Sequence, residues 1–211
     1  MATLASIAHR FHENPTSKSA ADELLQLQRE QFDHDEYYHR EIARLDMKTR
    51  LTHLTLHFAK YVGYLGKLSD DLTANSPSLQ RVLVDSLIIA ISMANTLNMR
   101  IVDKIDTKSC SNASLDELSR QLARSTALGN GSLLRNLLVA MSQSTGRMAK
   151  ACEGLDHIES VDFREELKIA VIEVTKTTLA AAALIDLDIV FAIKARLAEV
   201  KARFIFHNPI L

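Results

Sequence analysis

From Ile42 to Leu68 the apolar side chains return every three or four residues: Ile42, Leu45, Leu51, Leu54, Phe58, Tyr61, Val62, Leu65 and Leu68. That is the period of an α-helix, which stacks residues i, i+3, i+4 and i+7 on one face. A stripe this long needs a second helix to cover it, because apolar surface left in water is costly. The spacing therefore predicts a long helix, beginning around Asp33 to Glu36, inside a helical bundle.

The same period recurs downstream. Ser76-Pro77 supplies a capping hydroxyl and a proline at the first turn. The helix that follows carries Val82, Leu83, Leu87, Ile88, Ile91, Met93, Ala94 and Leu97, apolar nearly all round and so expected at the centre. Asp106 to Asn112 reads as a connector. Ser114-Leu-Asp-Glu117 is a capping box opening a short helix to about Ser125. Gly129-Asn-Gly131-Ser132 is a turn and a cap, and a helix from Leu133 to Glu153 follows. His157 to Asp162 reads as a loop. A last segment, Phe163 to Phe204, is helical with a bend near Asp186. Upstream, Ser17 or Ser19 caps a first short helix, Ala20 to Gln31. With 6 glycines and 3 prolines in 211 residues, the chain lacks the punctuation of an all-β fold.

The order of elements repeats: short helix, long helix, loop, long apolar helix. Gly63 aligns with Gly146, Asp85 with Glu173, and Leu97 with Ile185. The expectation is an all-α fold, a helical bundle with a four-helix core built from two tandem diverged helical hairpins. Residues 1–17 form a leader, 18–205 a single domain with pseudo-repeats 18–106 and 113–205, and 206–211 a tail.

Charge narrows the partners. Twenty-five basic residues meet 26 acidic ones, net −1, so bulk electrostatics predict no nucleic-acid partner. There is no tryptophan, and the other aromatics are not interleaved with basic runs. The most apolar stretch, Val82 to Met99, is interrupted by Asp85 and Asn95, so no membrane span is expected. Cys110 and Cys152 have no paired spacing and read as free thiols of a cytoplasmic protein.

Two stretches carry a family likeness. The first is Phe58-Ala-Lys-Tyr-Val-Gly-Tyr-Leu65 followed by Arg81-Val-Leu-Val-Asp85 and an apolar run to Ala94-Asn-Thr-Leu-Asn98. The second is Ala192-Ile-Lys-Ala-Arg-Leu-Ala-Glu-Val-Lys-Ala-Arg-Phe204. Together they resemble the MazG-like all-α nucleoside triphosphate pyrophosphohydrolases. In that family a Glu-Glu-x-Gly-Glu-Leu helix faces a Glu-x-x-Asp helix that ends in Ala-Asn-x-Leu-Gly. The resemblance implies a nucleoside triphosphate ligand and a Mg²⁺ site at Asp85 and Glu173. It also implies phosphate-binding cations at Arg203 and Lys60, and self-association as a homodimer. Such a site works because carboxylates one turn apart hold Mg²⁺, which neutralises phosphate charge and activates water.

The pattern departs from the family at the ligands themselves. Its Glu-x-x-Glu positions fall on Tyr61 and Tyr64, and its first Glu-x-x-Asp carboxylate falls on Val82. In the second half the matching positions are Ser144, Arg147, Ala170 and Glu173. A nucleotide-binding protein with an altered site is therefore weighed against a catalytically inactive scaffold that works through protein partners.

A third reading uses histidine. His39, Asp46, His53 and His57 step by 7, 7 and 4 along the predicted long helix. His53 and His57, at i and i+4, can share a transition metal. The bland alternative is a polar flank with solvated histidines. No phosphate-binding glycine loop or nucleophile signature is present.

Overall fold

The computed structural model describes residues 18–68, 76–105, 113–154 and 162–203, and among these every regular element is helical. In chain order the α-helices are α1 (Ala20–Tyr38), α2 (Arg40–Ala43), α3 (Met47–Leu65), α4 (Pro77–Thr96), α5 (Leu115–Ser125), α6 (Leu133–Gly154), α7 (Phe163–Leu184) and α8 (Ile189–Arg203). The expected leader, the connector 106–112 with Cys110, most of the loop before Asp162 and the tail lie outside the described residues.

Local chemistry explains most of the boundaries. Ser19, Asp46, Ser114 and Asp162 each accept a backbone N–H three residues on, satisfying a donor that the first turn leaves free. Pro77 opens α4. Ser132 caps α6 after Gly131, whose φ of 83° suits glycine. The bend expected near Asp186 is a full break between α7 and α8.

One boundary differs from the sequence expectation. The long helix foreseen from Asp33 is divided. α1 continues to Tyr38, His39 leaves helical geometry at φ −130°, and α3 starts only at Met47. Asp46 sets the new start: its carboxylate also takes the Thr49 hydroxyl (2.5 Å) and so favours a cap over a helix interior. Leu45, foreseen in the core stripe, is left exposed. His39 and Asp46 are therefore not on the same helix as His53 and His57.

α3 packs on α4 and α6, and α7 packs on α4 and α6, closing a ring of four helices. α1 lies on α4, and α5 lies on α7. α7 starts beside the end of α4, where Arg164 donates to the Leu97 carbonyl (3.3 Å). Phe58, Leu83, Leu87, Ile91 and Met93 are among the largest fully enclosed side chains of the core. Burying each such side chain contributes about 1.5–3 kcal/mol. Pro77–Thr96 alone among the described helices has the length and hydropathy of a membrane span, and 61% of that window is buried inside the bundle.

The helices α4 and α7 correspond position by position. Eleven of the twelve buried positions of α4 are buried again in α7, 88 residues later; the exception sets Ile88 against Lys176. Both helices end in the same way. Met99 N–H bonds to Ala94 O and Leu187 N–H to Ala182 O (both 2.9 Å), around Asn98 and Asp186, each at φ 51°. This is the left-handed helix stop, here taken by Asn and Asp because their short side chains tolerate it.

Candidate functional site

Two polar constellations stand out. The first comprises the positions that match the family pattern. In the second hairpin, Ser144 and Arg147 of α6 do face Glu173 of α7: the Ser144 hydroxyl lies 3.4 Å from its carboxylate and Arg147 Nε 3.7 Å. Arg147 also holds Glu166 at 2.8 Å. In the first hairpin, Tyr61 lies within the field of Asp85; burial pushes its phenol upward in pKa, and the Asp85 charge adds to that. Asp85 itself is taken by guanidinium groups. Arg196 Nε of α8 donates to it at 2.7 Å, and Arg81 Nε sits at 3.4 Å. Glu199 joins the same network through Arg196 (2.9 Å), Arg81 (3.4 Å) and Arg203. These three arginines hold the Glu199 carboxyl below its usual range despite the opposing effect of burial.

Asp85 is thus bonded by Arg196 from the second half of the chain, whereas Glu173 has Arg147 nearby at 3.7 Å without a hydrogen bond from it. Asp85 and Glu173 have different partners and are not joined in one cage. Arg203 reaches Asp85 only through Glu199. Lys60 sits 4.7 Å from the centre of the Tyr61 ring and 3.1 Å from His57 Nδ1. Among the described residues, no three His, Cys, Asp or Glu side chains are arranged to hold one ion.

The second constellation is a cavity of about 80 Å³ between α1–α2, α3 and α4, lined by Asp35, His39, Arg50, His53, His57 and Ser92 among others. Asp35 comes from the extension of α1 beyond the expected end at Gln31. It is buried, and accepts from the Ser92 hydroxyl (2.6 Å) and the Gln31 amide (2.8 Å). Arg50 Nη2 lies 3.7 Å away, and Arg50 Nη1 donates to the Ala43 carbonyl (3.3 Å). Arg50 Nε is buried without a hydrogen-bond partner. Such an orphaned donor is expensive in a low-dielectric interior.

His53 and His57 meet at the wall of this cavity with Nε2 atoms 3.2 Å apart. Burial lowers the His57 pKa to about 4; the charges of Lys60, His53 and His39 push the same way, and Asp85 opposes them. His57 is therefore neutral at physiological pH. Burial, with His39, likewise lowers His34. Sequence reading singled out the His53/His57 pair and missed Asp35, which looked like one acid in a solvated helix start.

Two larger cavities, of about 570 and 470 Å³, flank the stops at Asp186 and Asn98. Neither they nor the small cavity is lined by Asp85 or Glu173. No protein-family model, curated protein or solved structure matches the chain.

Proposed function

We propose that this chain is a non-catalytic helical interaction module, a bundle of MazG-like pattern whose metal cage has been exchanged for ion pairs. The observation that carries this reading is the engagement of Asp85 by Arg196 at 2.7 Å; Arg147, 3.7 Å from the half-exposed Glu173, adds only a nearby charge. A guanidinium brings one fixed positive charge to a carboxylate and satisfies its lone pairs through directed N–H groups. It does what Mg²⁺ would do for the resting charge of the site. It offers no open coordination position for phosphate or for an attacking water. Without several convergent carboxylates, a divalent ion has nothing to pay for its lost hydration.

On this reading the fold serves as a rigid platform, and its partners are proteins, a second copy of the chain included. The test is pyrophosphate release from a panel of nucleoside triphosphates with Mg²⁺, alongside thermal shifts with the same nucleotides. The reading expects no turnover and no shift. Turnover that disappears in Asp85→Ala and Glu173→Ala would overturn it in favour of an altered pyrophosphohydrolase.

A further inference from the structure

We propose that His53 and His57 form the protein half of a Zn²⁺ site at the mouth of the small cavity, with solvent completing the coordination shell. The two rings project from successive turns of α3 and converge, their Nε2 atoms 3.2 Å apart and their planes inclined at 63°. Zinc–imidazole bonds are about 2.0–2.1 Å long, and a tetrahedral angle between two of them separates the nitrogens by roughly 3.3 Å. The rings therefore already hold the spacing that a shared ion requires, with no movement of the helix. The adjoining cavity leaves room for water ligands, and His39 lines its wall.

Proton placement fits an exchange of one small cation for another. An ammonium group has no acceptor, so Lys60 donates to His57 Nδ1 across 3.1 Å. The ring proton of His57 then sits on Nε2, between the two histidines. Zn²⁺ takes the place of that proton, which moves through solvent to Nδ1 of His57, while the exposed Lys60 swings away. Lys60 is the local opponent of the ion. Arg50 is the other nearby cation, and Asp35 faces it across 3.7 Å.

The second hairpin has no equivalent. His53 corresponds to Asn136 and His57 to Ala140, so the pair is a feature of one half and not a requirement of the bundle. The site is independent of the interaction-module reading and uses different residues.

The experiment is a calorimetric titration of untagged protein with Zn²⁺, joined to long-range ¹H–¹⁵N spectra of the histidine rings. The expected result is one ion per chain, with the Nε2 resonances of both His53 and His57 moving to coordinated-imidazole values. His53→Gln and His57→Gln should each weaken binding at least tenfold, and Lys60→Gln should tighten it several-fold. Absence of binding, or binding retained in the double variant, would overturn the proposal. The ring spectra decide it in the unmodified chain even if a variant fails to fold, since unmoved Nε2 signals would exclude both residues as ligands.

Discussion

Position for position, α7 repeats the core of α4, yet the surroundings of the two helices part company on one side. Ser92 in α4 corresponds to Ala180 in α7. Arg50, His53 and His57 in α3 correspond to Leu133, Asn136 and Ala140 in α6. Asn136 spends its amide on the turn before it, donating to the carbonyls of Ala127, Leu128 and Asn130. The outer helices differ in the same sense. α5 stops after 11 residues, whereas α1 runs for 19 and delivers Asp35 to Arg50 and Ser92 of the first hairpin. The second half buries neutral hydroxyls, Thr145 among them without a partner. The first half adds a buried carboxylate and guanidinium, Asp35 and Arg50, in the same geometry. A bundle does not need those added charges, so the polar cavity is where a role beyond folding is to be sought.

The largest effects should come from the shared core. Phe58 and Met141 occupy equivalent buried positions. Phe58→Ala should cost about 3–5 kcal/mol and Met141→Ala about 2–5 kcal/mol in denaturant unfolding. Because the four helices close one ring, each variant should still unfold in a single transition. Two resolved transitions would separate the halves and break the comparison.

Next is the polar cavity. Asp35→Ala removes the acid facing Arg50 and leaves that guanidinium buried, a loss of about 3 kcal/mol. Ser92→Ala, which removes one donor to Asp35, should cost about 1–2 kcal/mol. The mirror change, Ala180→Ser, should be milder. Its hydroxyl can turn to the carbonyl four residues back, as Thr175 and Thr178 do with Val171 and Val174. Equal costs for the two serine/alanine exchanges would mean that Asp35 does not depend on Ser92.

Acid should also tell the halves apart. His57 stays neutral in the folded chain down to about pH 4, while the unfolded chain takes up that proton near 6.5. Between those values the unfolded state binds more protons, so stability falls as pH falls through the window. The loss should be about 1–2 kcal/mol, reduced from the full shift because the ring is partly open to solvent. His57→Gln should flatten that slope in pH-dependent unfolding, whereas Ala140→Gln should leave it unchanged.

What could be read in advance followed the physics of each feature. The helices of the ring were legible because a 3.6-residue period persists over many turns. The starts at Ser114 and Ser132 were legible because caps use a few residue types at fixed offsets, and the start at Pro77 because proline suits a first turn, although the Ser76 hydroxyl makes no cap bond there. The division between α1 and α3 was not, because Ile42 and Leu45 continue the apolar period across it, and the cap at Asp46 that restarts the helix sits inside that run. Asp35 reads as solvated among Asp33 and Glu36, since nothing local reveals that Ser92, 57 residues on, meets it. The partner of Asp85 was equally hidden. Arg196 lies 111 residues away, and ion pairs at that range leave no periodic trace.

Asp85 and its arginine bear most directly on whether this bundle keeps a metal centre. A double-mutant cycle on Asp85→Ala and Arg196→Ala, read by denaturant unfolding with and without millimolar Mg²⁺, measures both possibilities together. The account predicts a coupling of about 1–2 kcal/mol that Mg²⁺ leaves unchanged. No coupling, together with Mg²⁺ stabilising the unmodified chain but not Asp85→Ala, would contradict it.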